Sequence, residues 1–299
     1  MFLKTVSILK NPKCSRTGSR FWAMRPNPML LKKLAPERYF NMGISEQDLI
    51  GTAAGFAAAG KIPLASTFAV FATGRAFEQV RNSVCYPKLN VKICATHAGL
   101  TVGADGGSHQ AIEDISLMRT LPNMTVINPA DAKEAEAAVL AAIDYQGPVY
   151  IRLGRAETKD IHDDSYHFEW GKAEVLRQGS DVSIFATGIM TAKALDAAET
   201  LAKQGVQAEV INVHTIKPLD EETVIASAKK TGKVVTAEEH SIIGGLGSAV
   251  AEVLARQCPT KQAFVGVQDS FGESGSPNDL LEKYGLTTEA IVKAAVGLQ

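Results

Sequence analysis

From Tyr39 onward, short runs of β-branched and apolar residues alternate with longer Ala-rich stretches whose apolar positions recur at helical spacing. The short runs predict strands over 63–68, 91–96, 124–128 and 149–153. The longer ones predict helices over 46–59, 72–83, 111–119 and 133–144. Asp131, just ahead of the last helix, is a residue type that satisfies otherwise orphaned backbone N–H groups. Strand, helix and strand in alternation predict a parallel sheet with crossover helices, an α/β fold. A polar stretch, 156–171, holding His162, Asp163, Asp164 and His167, interrupts the pattern, and alternation resumes at Asp181. Beyond it, strands over 182–186, 207–213, 233–237 and 263–267 alternate with helices over 189–204, 220–229, 246–257 and 288–297, predicting a second, smaller open α/β sheet. The expected organisation is an atypical basic segment 1–38, a first domain 39–160, a linker 161–180 and a second domain 181–299. No period of 20–50 residues repeats, which excludes a solenoid.

Composition narrows the classes further. The 299 residues are 45% hydrophobic, and 31 Lys+Arg face 32 Asp+Glu for a net charge of -1. No stretch approaches the ~18 apolar residues of a membrane span, and the overall charge disfavours a nucleic-acid tail. Cys14, Cys85, Cys94 and Cys258 form no CxxC pair and have no nearby Cys/His ligand set, so a disulfide scaffold or zinc site is not expected and a reducing, cytoplasmic setting is. The balance is uneven: residues 1–38 carry nine Lys/Arg and one acid, against 22 and 31 in the rest. The helix that a targeting presequence would need is broken at Pro12, Pro26 and Pro28.

Several segments carry candidate chemistry. Gly43-Ile44-Ser45-Glu46-Gln47 puts a carboxylate at the start of an apolar helix. It reads either as an ordinary N-terminal acid or as a buried acid facing the crevice at the strand ends. Phe68 and Phe71 follow a strand three residues apart, as core residues or as a platform for a flat heterocycle. The densest stretch, 96–110, packs His97, Asp105, His109 and four glycines just after strand 91–96. Glycine lets backbone approach a ligand, while His and Asp serve hydroxyls and proton transfer. Arg152 and Arg155 end a strand; the ordinary reading is a solvated surface, but Arg155 beyond the strand end could clamp a phosphate. Glu238-Glu239-His240 before Gly244-Gly245-Leu246-Gly247 resembles a phosphate loop superficially, but no P-loop Lys follows, and a structural turn is expected.

Taken in order, these residues resemble the C-terminal half of transketolase, its pyrimidine-binding and C-terminal domains, as in split-gene transketolases whose diphosphate-binding half is a separate subunit. The resemblance covers roughly residues 35–299. It implies that Glu46 hydrogen-bonds the aminopyrimidine of thiamine diphosphate and that Ile44, Phe68 and Phe71 line the cofactor pocket. It implies likewise that His97, Asp105 and His109 surround the sugar hydroxyls, with His97 and His109 handling protons, and that Arg155 binds phosphate. The implied reaction is transfer of a two-carbon ketol unit between sugar phosphates, as in the pentose phosphate pathway. Mg²⁺ or Ca²⁺ would be bound through the N-terminal partner subunit, in a heterotetramer built on a dimeric core of this chain. His97 and the Ala69-Val70-Phe71 loop separate the sequence from 1-deoxyxylulose-5-phosphate synthase, where an Asp-Arg-Ala-Gly segment is usual. The His-Ala-Gly…Gly-Ser-His segment separates it from 2-oxo acid dehydrogenase β subunits. A non-catalytic assembly subunit is the reading from another class. Two departures stand out: Gly74 replaces a third aromatic, and the stretch 14–20 does not align with the family's first strand and Ser-bearing loop, which predicts an altered or missing first strand.

Overall fold

The computed structural model describes residues 5–9, 32–33 and 35–298. The unaligned stretch 14–20 lies outside them. Two sheets form, each flanked by helices. The first contains β1 (Thr5–Leu9), β2 (Tyr39–Asn41), β3 (Ile62–Phe68), β4 (Lys92–Thr96), β5 (Thr125–Ile127) and β6 (Val149–Arg152), joined by β10 (Thr215–Lys217) from the second half of the chain, in the order β10-β5-β6-β4-β3-β1-β2. Its four central strands are parallel, as the alternation predicts. Its edges are not. The run Thr5–Leu9 does form a strand, pairing antiparallel with β3 (Val6 opposite Ala65) and with β2. A strand is thus present ahead of the stretch 14–20, antiparallel to β3, and its buried Val6 belongs to the core of this sheet.

Helices α1 (Glu46–Ala58), α2 (Asp114–Thr120) and α3 (Ala132–Asp144) cover this sheet. Asp131 caps α3 as anticipated, accepting from the Glu134 amide at 2.9 Å. Two predicted helices differ. The segment expected as a regular helix over 72–83 winds as two π-helical turns, Phe71–Arg75 and Gln79–Cys85. Such wide turns accept an extra residue, and Gly74 and the Asn82-Ser83 pair are poor formers of regular helix. Helix α2 starts at Asp114 rather than Ala111, because the Ala111 carbonyl is drawn back to the Gly99 amide at 2.8 Å and extends the preceding loop.

The second sheet contains β7 (Glu174–Arg177), β8 (Val182–Ala186), β9 (Ala208–Asn212), β11 (Lys233–Ser241) and β12 (Lys261–Val267), ordered β12-β11-β8-β9-β7. It is parallel except for the edge strand β7, which comes from the polar connection. Helices α4 (Met190–Lys203), α5 (Glu221–Thr231), α6 (Leu246–Gln257), α7 (Pro277–Lys283) and α8 (Thr288–Val296) flank it. Val182, Ile184, Val235 and Ile291 are core residues of one face, and Leu100 and Ile112, from the Gly-rich loop of the first half, belong to the same apolar cluster. That shared core and the strand β10 seat the two halves against each other. No helix among the described residues is long and apolar enough to cross a membrane.

Candidate active site

The carboxyl ends of β3 and β4 deliver the aromatic pair and the His97 loop to one place. Phe68 ends β3. The π-turn that follows lays the Phe71 ring nearly parallel to it, 11° apart with centroids at 6.0 Å. On its other partner, Phe68 stacks on the imidazole of His97 at 3.9 Å and 8°. His109 stands edge-on to both phenylalanines, 5.3 Å from Phe71 and 6.2 Å from Phe68. Gly74, where the resemblance implies a third aromatic, is exposed, and an added Cβ there would meet nothing within 4 Å.

Glu46, the first residue of α1, has a buried side chain, and Arg75 Nη1 donates to its Oε2 at 2.8 Å. The Arg75 guanidinium also lies over the Phe71 ring at 4.2 Å. Arg75 is the site residue that the sequence reading passed over; its spacing of four from Phe71 within one helical turn was the available signal. Ile44 precedes the helix with its side chain 85% exposed, outside the ring cluster.

The loop after β4 turns sharply: His97 has φ +59°, and Gly99, Gly103 and Gly106 are also left-handed. Burial, with the Arg155 cation adding to it, lowers the His97 pKa to about 4, so the ring is neutral near pH 7. Its Nδ1 meets Thr96 Oγ1 at 3.0 Å. Arg155 donates to the Val102 carbonyl at 2.9 Å and stands 3.6 Å from Asp105, so both charged groups share one rim, half open to solvent. Glu46, Phe68, Phe71, His97 and His109 form one connected cluster, with Asp105 and Arg155 beside it.

Arg152 departs from its surface expectation. It is 4% exposed, donating through Nε to Asp114 Oδ2 at 2.8 Å and through Nη2 to the carbonyls of Ala111 and Glu239. Tyr150 donates to the same carboxylate at 2.6 Å. Burial opposes the Asp114 charge, yet the Arg152 cation holds its pKa below the usual carboxylate range. The Gly-rich turn before α6 is structural, as expected. The Glu238 carboxylate accepts from the Leu246 and Gly247 amides at 2.7 and 2.8 Å, so the helix N-terminus is filled by the chain's own anion.

Thiamine diphosphate can be tested against this donor set. A buried carboxylate beside a face of parallel rings suits an aminopyrimidine, which needs one charged hydrogen-bond partner and an apolar cover. For a diphosphate-bound cation the described residues offer one three-ligand group, Glu134, His162 and Glu174. Its atoms are already hydrogen-bonded within the fold: His162 meets Asp131 at 3.0 Å and Glu174 at 2.9 Å, and Glu134 accepts from Tyr166 and Asn212.

Residues 18–160 match the transketolase pyrimidine-binding domain and 171–291 match the transketolase C-terminal domain. The 6-deoxy-6-sulfo-D-fructose transketolase subunit SqwH of a Clostridium species is 52% identical over 260 residues, 87% of this chain and 81% of the relative. The chain belongs to the transketolase family. A putative transketolase C-terminal section from Methanocaldococcus jannaschii is 49% identical over 267 residues, 88% of this chain and 84% of the relative. Among solved structures, a split gene transketolase described as an inactive beta4 tetramer is 57% identical, with a TM-score of 0.85 over 90% of this chain and 86% of that one. This transketolase chain therefore carries the pyrimidine-binding and C-terminal domains of the split type, and the family implies dependence on thiamine diphosphate.

Proposed function

We propose that this chain is the C-terminal subunit of a transketolase that moves a two-carbon ketol unit from a ketose phosphate to an aldose phosphate, active only with a diphosphate-binding N-terminal subunit. The observation that carries the reading is the joining of a buried helix-start carboxylate, Glu46, to the Phe68, Phe71, His97 and His109 ring cluster. Bound thiamine diphosphate supplies the nucleophilic carbon that accepts the ketol unit. Glu46 holds a proton on the pyrimidine ring, and Phe68 and Phe71 cover its face. Neutral His97, together with His109, exchanges protons with the sugar hydroxyls, Asp105 orients the donor, and Arg155 at the rim pairs with the anionic end of the sugar. An anion-binding rim agrees with relatives named for a sulfonated sugar and for apulose 4-phosphate. Mg²⁺ or Ca²⁺ comes with the partner's ligands, and two copies of this chain form the core of a heterotetramer.

The second reading is synthesis of 1-deoxyxylulose 5-phosphate, since a synthase from Desulforudis audaxviator is 38% identical. His97 in place of the arginine of that family, packed on Phe68 at 3.9 Å, favours ketol transfer. The test is reconstitution with the partner subunit and assay of ketol transfer, alongside pyruvate condensation with glyceraldehyde phosphate. Ketol transfer is expected, with a loss of at least about 10²-fold in Glu46→Gln. Retention of more than about a tenth of the rate in that variant, or condensation as the only activity, would overturn the assignment.

A further inference from the structure

The Gly-rich loop that carries His97 and His109 is attached mainly to the other half of the molecule. At its start, the Glu239 carboxylate of β11 accepts from the Thr101 amide at 2.7 Å. It fills the space beside Gly99 so closely that a Cβ there would lie 2.2 Å from Glu239 Cδ. Between them, Leu100 is fully buried in the apolar core of the second sheet. At its end, the buried Gln110 amide donates to the carbonyls of Leu100 and Gly103 within the loop, and to that of Glu273 from the connection after β12. A loop satisfied only by its own bonds would need neither a buried carboxylate nor a reach of 138 residues.

We propose that Glu239 is a positioning residue for the sugar end of the site, with Gln110 as the second pin, so that the second domain sets the geometry of His97 and His109. The assignment rests on the proposed ketol transfer for its kinetic readout. The chemistry fits: a buried carboxylate acceptor under a strained turn holds two left-handed residues, His97 and Gly99, in place. The cofactor end stands on other elements, α1 and the π-turn after β3, and meets the loop at the Phe68–His97 stack.

The experiment compares Glu239→Ala, Glu239→Gln and Gln110→Ala in the complex with the partner subunit. Glu239→Ala is expected to raise the sugar KM at least about tenfold while the thiamine diphosphate Kd changes less than about threefold; Glu239→Gln, which keeps an oxygen acceptor, returns KM to within about threefold of wild type. Hydrogen exchange provides a readout that needs no activity. The Thr101 amide should exchange at least about tenfold faster in Glu239→Ala, with β3 and β4 amides unchanged. Should that variant not fold, Gln110→Ala is expected to give the same split between sugar and cofactor. Wild-type KM and exchange in the folded variants, or parallel loss of sugar and cofactor affinity, overturns the proposal. An inactive wild-type complex with the expected exchange change would instead sink the ketol-transfer reading and leave the positioning role standing.

Discussion

His97 combines three properties that its neighbours in sequence do not share: a left-handed backbone, a stacked contact with Phe68, and a pKa lowered to about 4 by burial and by Arg155. Against an ordinary value near 6.5, the ring stays neutral through the physiological range and can both accept and donate a proton there. The sign also sets a stability consequence. The unfolded chain takes up the proton first, so His97 costs stability as pH falls from about 6.5 toward 4. NMR titration of the folded chain should give this imidazole a midpoint near 4, and a midpoint near 6.5 would show a ring open to water instead. The candidate residues Glu46, His97 and His109 were legible because each stands in a short segment of unusual composition. Arg75 and Arg152 were not. Their partners, Glu46 and Asp114, lie 29 and 38 residues away, and only the sheet brings them together. Arg152 in particular reads as surface by residue type, and a buried arginine becomes tolerable once Asp114 and two carbonyls satisfy it.

Among the elements, the central parallel strands, the parallel edge strand β12 and most helices followed from hydrophobic period, whereas the other edges did not. β1, β2, β7 and β10 are short or antiparallel, and their pairing is decided by distant partners rather than by their own pattern. The connection expected as a polar linker is an instance. His162 within it bonds Asp131 at the start of α3 and Glu174 on β7, with a side chain only 4% exposed. Burial opposes its charge, but the two carboxylate bonds prevail and raise the pKa to about 10. A raised pKa contributes stability that is complete below about 6.5 and fades as pH climbs through 10. His162→Gln should therefore cost about 2–3 kcal/mol near pH 6, and the gap to wild type should close as pH approaches 10, read by urea denaturation across that range. A gap independent of pH would mean that the ring acts by packing alone.

At the scale of the whole molecule, Glu46 and the rings form one side of the candidate site, the rim of Arg155 and Asp105 opens to solvent, and Arg75 is half exposed. Ile44 is 85% exposed just ahead of α1, and Tyr86 and Phe271 are 84% and 90% exposed. The three-ligand group among the described residues is drawn together around His162 and spans α3 and β7, where it serves the fold. On the proposed reading, a diphosphate with its cation meets this chain at the pyrimidine end, and the partner subunit supplies the ligands of the charged end. Binding of thiamine diphosphate and Mg²⁺ to the isolated subunit should accordingly be weaker than about 100 μM, and should tighten to the micromolar range or below when the N-terminal subunit is added, because only then are both ends held at once. Isothermal titration of the subunit alone and of the reconstituted complex makes the comparison, and micromolar binding by the isolated chain would show that it holds the diphosphate itself and needs no partner to complete the site.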